Sequence, residues 1–221
     1  MSTATSGVEI VAVGLSAHGP EGPIFRDVGL TAPAGGLTVI AGPAGAGRST
    51  LLLALGGRFR TEDGTVTVAG DRKPATARAR TAIARVRPGL DLEERLLVSE
   101  AIAERKAIAG DRLSDASLAR MCLLLRIDPP AHTQCDLLSA VEQLLFSVAL
   151  AAATSPGAVL VDDVDDGIAG ADLSRAWRAL RDLADEGVTV VATATEPPPM
   201  GVDSVYDLPG HHLHVRGGDQ R

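Results

Sequence analysis

One segment limits what this chain can fold into more than any other: GPAGAGRST, Gly42–Thr50. It follows a short apolar run, Leu37-Thr38-Val39-Ile40-Ala41, and it precedes a stretch from Ser49 to Leu55 that reads as a helix stopped by Gly56-Gly57. A strand, a glycine-rich turn and a helix in this order match the pattern G-x-x-x-x-G-K-[ST] with one change, Arg48 in place of lysine. Gly42, Gly45 and Gly47 let backbone N–H groups turn inward, with Pro43, Ala44 and Ala46 completing the loop. The helix start adds its positive end, so the segment predicts a phosphate cradle. Ser49 is placed to offer its hydroxyl to Mg²⁺, and Thr50 follows it into the helix.

The rest of the chain alternates strands and helices. Val8 to Val13 is rich in β-formers, and HGPEGP, His18 to Pro23, is a turn cluster. Asp63-Gly64 followed by TVTVA predicts a strand leaving a tight turn. Residues 91–137 carry helical periodicity: Val98, Ile102 and Ile108, then Leu118, Met121, Cys122 and Leu125. A long apolar helix is expected from Ser139 to Ala153, a strand from Ala158 to Val161, a helix from Asp172 to Asp185 and a strand from Val188 to Ala192. The expected fold is α/β: one domain over 1–221 with a mainly parallel sheet, a β-rich N-terminal part and a helical subdomain inserted at 91–137.

Two further segments carry chemistry. AVLVDD, Ala158 to Asp163, is a buried strand ending in carboxylates. Asp162 is placed to hold Mg²⁺ through water, and Asp163 to sit beside an attacking water. LSAVEQ, Leu138 to Gln143, begins 24 positions before Asp162. This segment, its interval, the glycine loop and the helical insertion together resemble the ATP-binding subunit of ABC transporters, whose signature is LSGGQ or LSGGEQ. The resemblance covers nearly the whole chain. It implies ATP and Mg²⁺ as ligands, with Gly42 to Thr50 on the phosphates and Ser139 on nucleotide held by a second subunit. It also implies a homo- or heterodimer with another subunit of this type, and a membrane-spanning permease as partner. The helical stretch would dock on that permease, and the chain would sit in the cytoplasm, peripheral at the inner face of the membrane.

Against that family the chain departs at several positions. Arg48 keeps the lysine's charge but is bulkier and planar. Asp163 stands where the family's general-base glutamate belongs, one C–C bond, about 1.5 Å, short. Thr195 falls at the usual histidine position, Ala169 at an aspartate, and Arg87 or Pro88 at a glutamine. No aromatic near His18 or Gly19 matches the adenine-stacking residue. Ala140 and Val141 replace the signature glycines, and Val141 is expected to crowd a partner's nucleotide. Hydrolysis is therefore expected to be weak or lost. The alternative is a non-catalytic scaffold or regulator of a membrane complex.

Composition sets outer limits. Net charge is −7, which argues against a nucleic-acid or anionic-lipid surface. Aromatic residues are 2%, so the core must be aliphatic. No apolar run is long enough to span a bilayer, and MSTATSGVEI lacks the features of a signal peptide. Cys122 and Cys135 read as reduced, buried thiols. His212 and His214 share one face of a possible strand, and a polar edge is the better reading than a metal site.

Overall fold

The computed structural model describes residues 6–20, 22–86, 89 and 91–209. Its N-terminal part is an antiparallel sheet of β1 (Ile10–Gly19), β2 (Gly22–Ala32) and β4 (Asp63–Val68), ordered β2-β1-β4. The turn cluster does turn the chain, since His18 pairs with Pro23 and Gly19 with Gly22. Asp63-Gly64 does not form the expected turn. Both residues lie inside β4, where Gly64 has φ 83° and backs onto the Gly14 carbonyl so closely that a Cβ would collide with it. The β1–β4 register slips nearby, between Val13 and Ser16, so the glycine serves a bulge.

The second sheet is parallel and five-stranded, ordered β5-β6-β7-β3-β8. Its strands are β3 (Leu37–Ala41), β5 (Thr81–Arg85), β6 (Ala158–Val161), β7 (Thr189–Ala194) and β8 (Ser204–Asp207). Strands β3, β6 and β7 are buried along their whole length, as expected for a sheet covered on both faces. Their side chains alternate between two cores. Leu37, Val39, Val159, Val161, Val190 and Ala192 face one; Ile40, Ala158, Leu160 and Val191 face the other.

The first core is filled by helices α3 (Val98–Ala109), α4 (Asp115–Leu124), α5 (Ala140–Ala152) and α6 (Gly170–Asp185). The second is filled by α1 (Arg48–Leu55), by α2 (Pro74–Arg80) through Ala77, and by the inner face of the antiparallel sheet. The expected helical stretch thus contains α3 and α4, and it shares its core with α5 through Leu118, Met121 and Leu144. Among the described residues no helix is long and apolar enough to cross a membrane. Cys122 and Cys135 are free, and burial raises both thiols. The paired histidines at 212 and 214 lie outside the described residues.

Candidate functional site

The loops after β3, β6 and β7 leave the same edge of the parallel sheet. Ala41 pairs with Ala194, and Val161 with Ala192, so Gly42 leaves beside Thr195 and Asp162 leaves on the other side of β7, beside Thr193. The crevice at the carboxyl ends of parallel strands is the usual ligand position in such sheets.

The glycine loop is held tightly from outside. Gly42 packs against the Leu208 carbonyl and has no room for a Cβ. Gly47 has φ 89°, and a Cβ there would lie 2.6 Å from the Ile24 side chain. Within the loop, the Ala46 N–H bonds to the Pro43 carbonyl at 3.1 Å. Helix α1 begins at Arg48 with Gly47 as its cap and no side-chain cap, which leaves the first-turn N–H groups open at the crevice. An anion is the natural partner for such an end. Ser49 and Thr50 are half-buried in that first turn.

Asp162 is 1% exposed. Its Oδ1 accepts a 2.6 Å hydrogen bond from the Thr193 hydroxyl, while its Oδ2 is buried with no hydrogen-bond partner among the described residues. A buried carboxylate oxygen left open beside a helix start suits a hard cation bound through oxygen.

Asp163 takes an unusual position. Its φ is 43°, in the left-handed region. The Thr193 hydroxyl accepts its N–H at 2.8 Å, and Arg85 donates to the Asp162 and Asp163 carbonyls. Its carboxylate Oδ1 lies 2.6 Å from the Arg48 guanidinium. Burial, and then the neighbouring Asp162, push the Asp163 carboxyl above its ordinary range, with Arg48 opposing them. Arg48 also donates to the Gly42 carbonyl. Its side chain, 9% exposed, therefore spans from the start of the glycine loop to the end of β6.

The remaining sequence-predicted positions lie further out. Thr195 is exposed, and its N–H donates to Asp165 at 2.8 Å. Ser139 caps α5 in a closed box: its N–H and hydroxyl donate to the Glu142 carboxylate at 3.0 and 2.6 Å. Those bonds hold the Glu142 carboxyl below its ordinary range. Val141 does not face outward as expected. It is 3% exposed and packs into the core, so it cannot crowd a partner's nucleotide. His18 pairs with Glu62 at 2.6 Å. Arg87 and Pro88 lie outside the described residues.

Two contributors escaped the sequence reading. Arg85 is 1% exposed inside an otherwise apolar strand. Thr193 bonds both aspartates from the next strand. A charged residue ending the run Thr81-Ala82-Ile83-Ala84 was the available signal for the first; the second had none.

The family model described as ABC transporter matches residues 25–165. The ABC transporter ATP-binding/permease protein Rv1747 of Mycobacterium tuberculosis is 30% identical over 86% of this chain and 23% of its own length. The ribose import ATP-binding protein RbsA 1 of Burkholderia cenocepacia is 29% identical over 80% of this chain and 37% of its own. The chain thus spans well under half the length of these relatives. The glutamate/aspartate import ATP-binding protein GltL of Escherichia coli is 26% identical over 78% of this chain and 75% of its own. Among solved structures, a putative ABC transporter ATP-binding protein from Pyrococcus furiosus superposes with TM-score 0.75 at 14% identity, covering 90% of this chain and 97% of that one. The ADP conformation of an ATP-binding cassette of an ABC transporter gives TM-score 0.71 at 16% identity, over 92% and 88%. These two establish the α/β fold with its antiparallel N-terminal sheet and parallel core.

Proposed function

The chain belongs to the ABC transporter family by its ATP-binding domain, and from that premise we propose that it binds Mg-ATP weakly, hydrolyses it slowly or not at all, and couples occupancy to a membrane-spanning partner. The observation that carries this reading is the Arg48–Asp163 ion pair. Cations of the phosphate loop and carboxylates after β6 act on different parts of a bound nucleotide. Here they neutralise each other across the loop, so phosphates must compete with Asp163 for the guanidinium.

The group these residues would hold is Mg-ATP. The first-turn N–H groups of α1 and the backbone of Gly42 to Gly47 suit the phosphates. The Ser49 hydroxyl and the open Oδ2 of Asp162 suit the cation. Bound Mg²⁺ supplies charge neutralisation on the phosphates. Asp163 would orient water only after leaving Arg48, and Thr195 offers no imidazole to a terminal phosphate.

The exposed apolar side chains Ile108, Leu123 and Leu137 lie on the helical stretch and support docking of a partner there. The second reading, a non-catalytic scaffold, draws on the same ion pair taken as permanent. Calorimetric titration with Mg-ATP, run beside a phosphate-release assay, separates the two. Weak saturable binding with little release supports the weak ATP-binding subunit. No binding at millimolar nucleotide supports the scaffold. Tight submicromolar binding with rapid release overturns both.

A further inference from the structure

Away from the glycine loop, at the opposite end of α1, lies a chamber of about 480 Å³. That volume is in the range of small-molecule sites. The eight residues of α1 separate it from the phosphate loop by about 12 Å at 1.5 Å rise per residue. Four arginines line it: Arg58, Arg60, Arg72 and Arg78. Among the described residues no carboxylate lines it, although the chain carries net charge −7. Of the neighbouring acids, Asp63 is exposed at the start of β4, and the other two are paired. Glu62 pairs with His18 at 2.6 Å, and Asp71 accepts from the Thr76 hydroxyl at 2.6 Å and the Lys73 N–H at 3.0 Å.

Part of this basic cluster has a structural purpose. Arg58 donates to the Gly56 carbonyl at 2.8 Å and Arg78 to the Gly57 carbonyl at 2.8 Å, which caps the negative end of α1. Arg58 also bonds the Thr81 hydroxyl and carbonyl. Capping does not account for Arg60 and Arg72, which are exposed and have no hydrogen-bonding or ionic partner among the described residues. The cations also oppose one another. Burial and then Arg78 hold the Arg58 guanidinium below its ordinary value. Between them the chamber offers an apolar surface from Ala54, Phe59 and Val66.

We propose that this chamber is a second anion site, separate from the nucleotide loop, that takes a small phosphate ester with a ring-sized apolar body. Arg60 and Arg72 grip the phosphate, and Arg58 and Arg78 supply fixed positive charge behind them. A phosphate presents three oxygens to several guanidiniums at once, and planar guanidinium forks match that geometry. Phe59 and Val66 receive the apolar body. The site does not rest on the nucleotide reading above and holds whether or not ATP binds.

The test uses the full chain and phenyl phosphate, followed by calorimetry and by amide shifts in nitrogen-edited NMR. Expected are saturable one-to-one binding and shifts concentrated at residues 57–66 and 72–78. The exposed double substitution Arg60→Ala/Arg72→Ala should preserve the amide spectrum elsewhere and weaken binding by at least about tenfold. Inorganic phosphate should bind more weakly than phenyl phosphate, and neutral benzyl alcohol should not bind. Shifts confined to residues 42–50, unchanged affinity in the double variant, or no saturation at millimolar phenyl phosphate would each overturn the proposal.

Discussion

The Arg48 guanidinium and the Asp163 carboxylate meet at 2.6 Å, although 115 positions separate them in sequence. Arg48 opens α1 and Asp163 follows β6, both at one edge of the parallel sheet. Arg48 is the less exposed partner, at 9% against 32% for its mate. Removing Asp163 therefore leaves a nearly buried cation with, among the described residues, the Gly42 carbonyl as its acceptor. Asp163→Ala should destabilise the protein by about 1–3 kcal/mol, below the full cost of breaking a buried pair because one partner is partly solvated. Adding Arg48→Met should restore most of that loss. Urea unfolding of the single and double variants measures both; additive losses would show that the two side chains do not act as a pair.

The same pair sets an expectation for nucleotide. Arg48→Lys replaces a planar fork by a compact ammonium that reaches Asp163 less well. Mg-ATP affinity should rise by about tenfold, the equivalent of 1.4 kcal/mol. Calorimetry reads the change directly. Equal affinity in both proteins would mean that the guanidinium leaves the loop at no cost.

Turnover needs more than the cation. Wild type should release phosphate far below the typical enzyme rate, which is on the order of 10 per second. The combination Arg48→Lys, Asp163→Glu and Thr195→His restores the cation, a longer base and an imidazole. It should raise phosphate release at least about tenfold over wild type. A wild type already working at the typical rate would contradict the roles given to all three positions.

Stability in acid should depend on Asp203. Its carboxylate accepts the Leu37 N–H at 2.7 Å and pairs with Arg181. These contacts, the backbone bond first, hold its carboxyl below the ordinary range. The folded protein therefore binds fewer protons at this group than the unfolded chain does. Its contribution is present above the unfolded value, about pH 4, and is lost as pH falls through the lower folded value. Asp203→Asn should cost about 1 kcal/mol near neutral pH, a modest figure because the side chain is partly exposed. Chemical denaturation should show the gap closing as pH falls below the ordinary carboxylate range. A gap of constant size would mean that the charge is not what ties β8 to β3.

The glycine loop was legible because its requirements are local. Gly47 needs a positive φ, and a strand before and a helix after are written in adjacent residues. The destination of Arg48 was not legible, since nothing in GPAGAGRST says which carboxylate returns to it. Arg85 and Thr193 were hidden for the same reason: their partners, Asp162 and Asp163, follow β6, which strand pairing brings beside them. Strand β2 was missed because Pro23 and Gly29 interrupt its pattern, yet β1 supplies its pairing. The inward direction of Val141 was available in sequence. Val141, Leu145 and Val148 recur at helical spacing, and all three are buried.

That inward direction changes what the signature segment should do in a dimer. A glycine at 141 would not open the surface. Val141→Gly would leave a cavity in the first core and place glycine in α5, at a cost of about 2–4 kcal/mol. Glu142 is no obstacle, since it matches the glutamate of LSGGEQ and its bonds with Ser139 cap α5. The departure left near the surface is Ala140, half-buried beside Ser139. A methyl added where the family has none overpacks a rigid interface at a cost of about 1–3 kcal/mol. Wild type should therefore stay monomeric with Mg-ATP, even with Asp163→Asn introduced to block turnover. Ala140→Gly, combined with Asp163→Asn and Arg48→Lys, should produce a dimer that depends on Mg-ATP. Light scattering with and without nucleotide distinguishes the outcomes. A clear ATP-dependent dimer from the chain with Ala140 intact would remove the methyl beside Ser139 as the obstacle. A monomer from the triple variant, with nucleotide shown bound by calorimetry, would place the obstacle elsewhere on the dimer face.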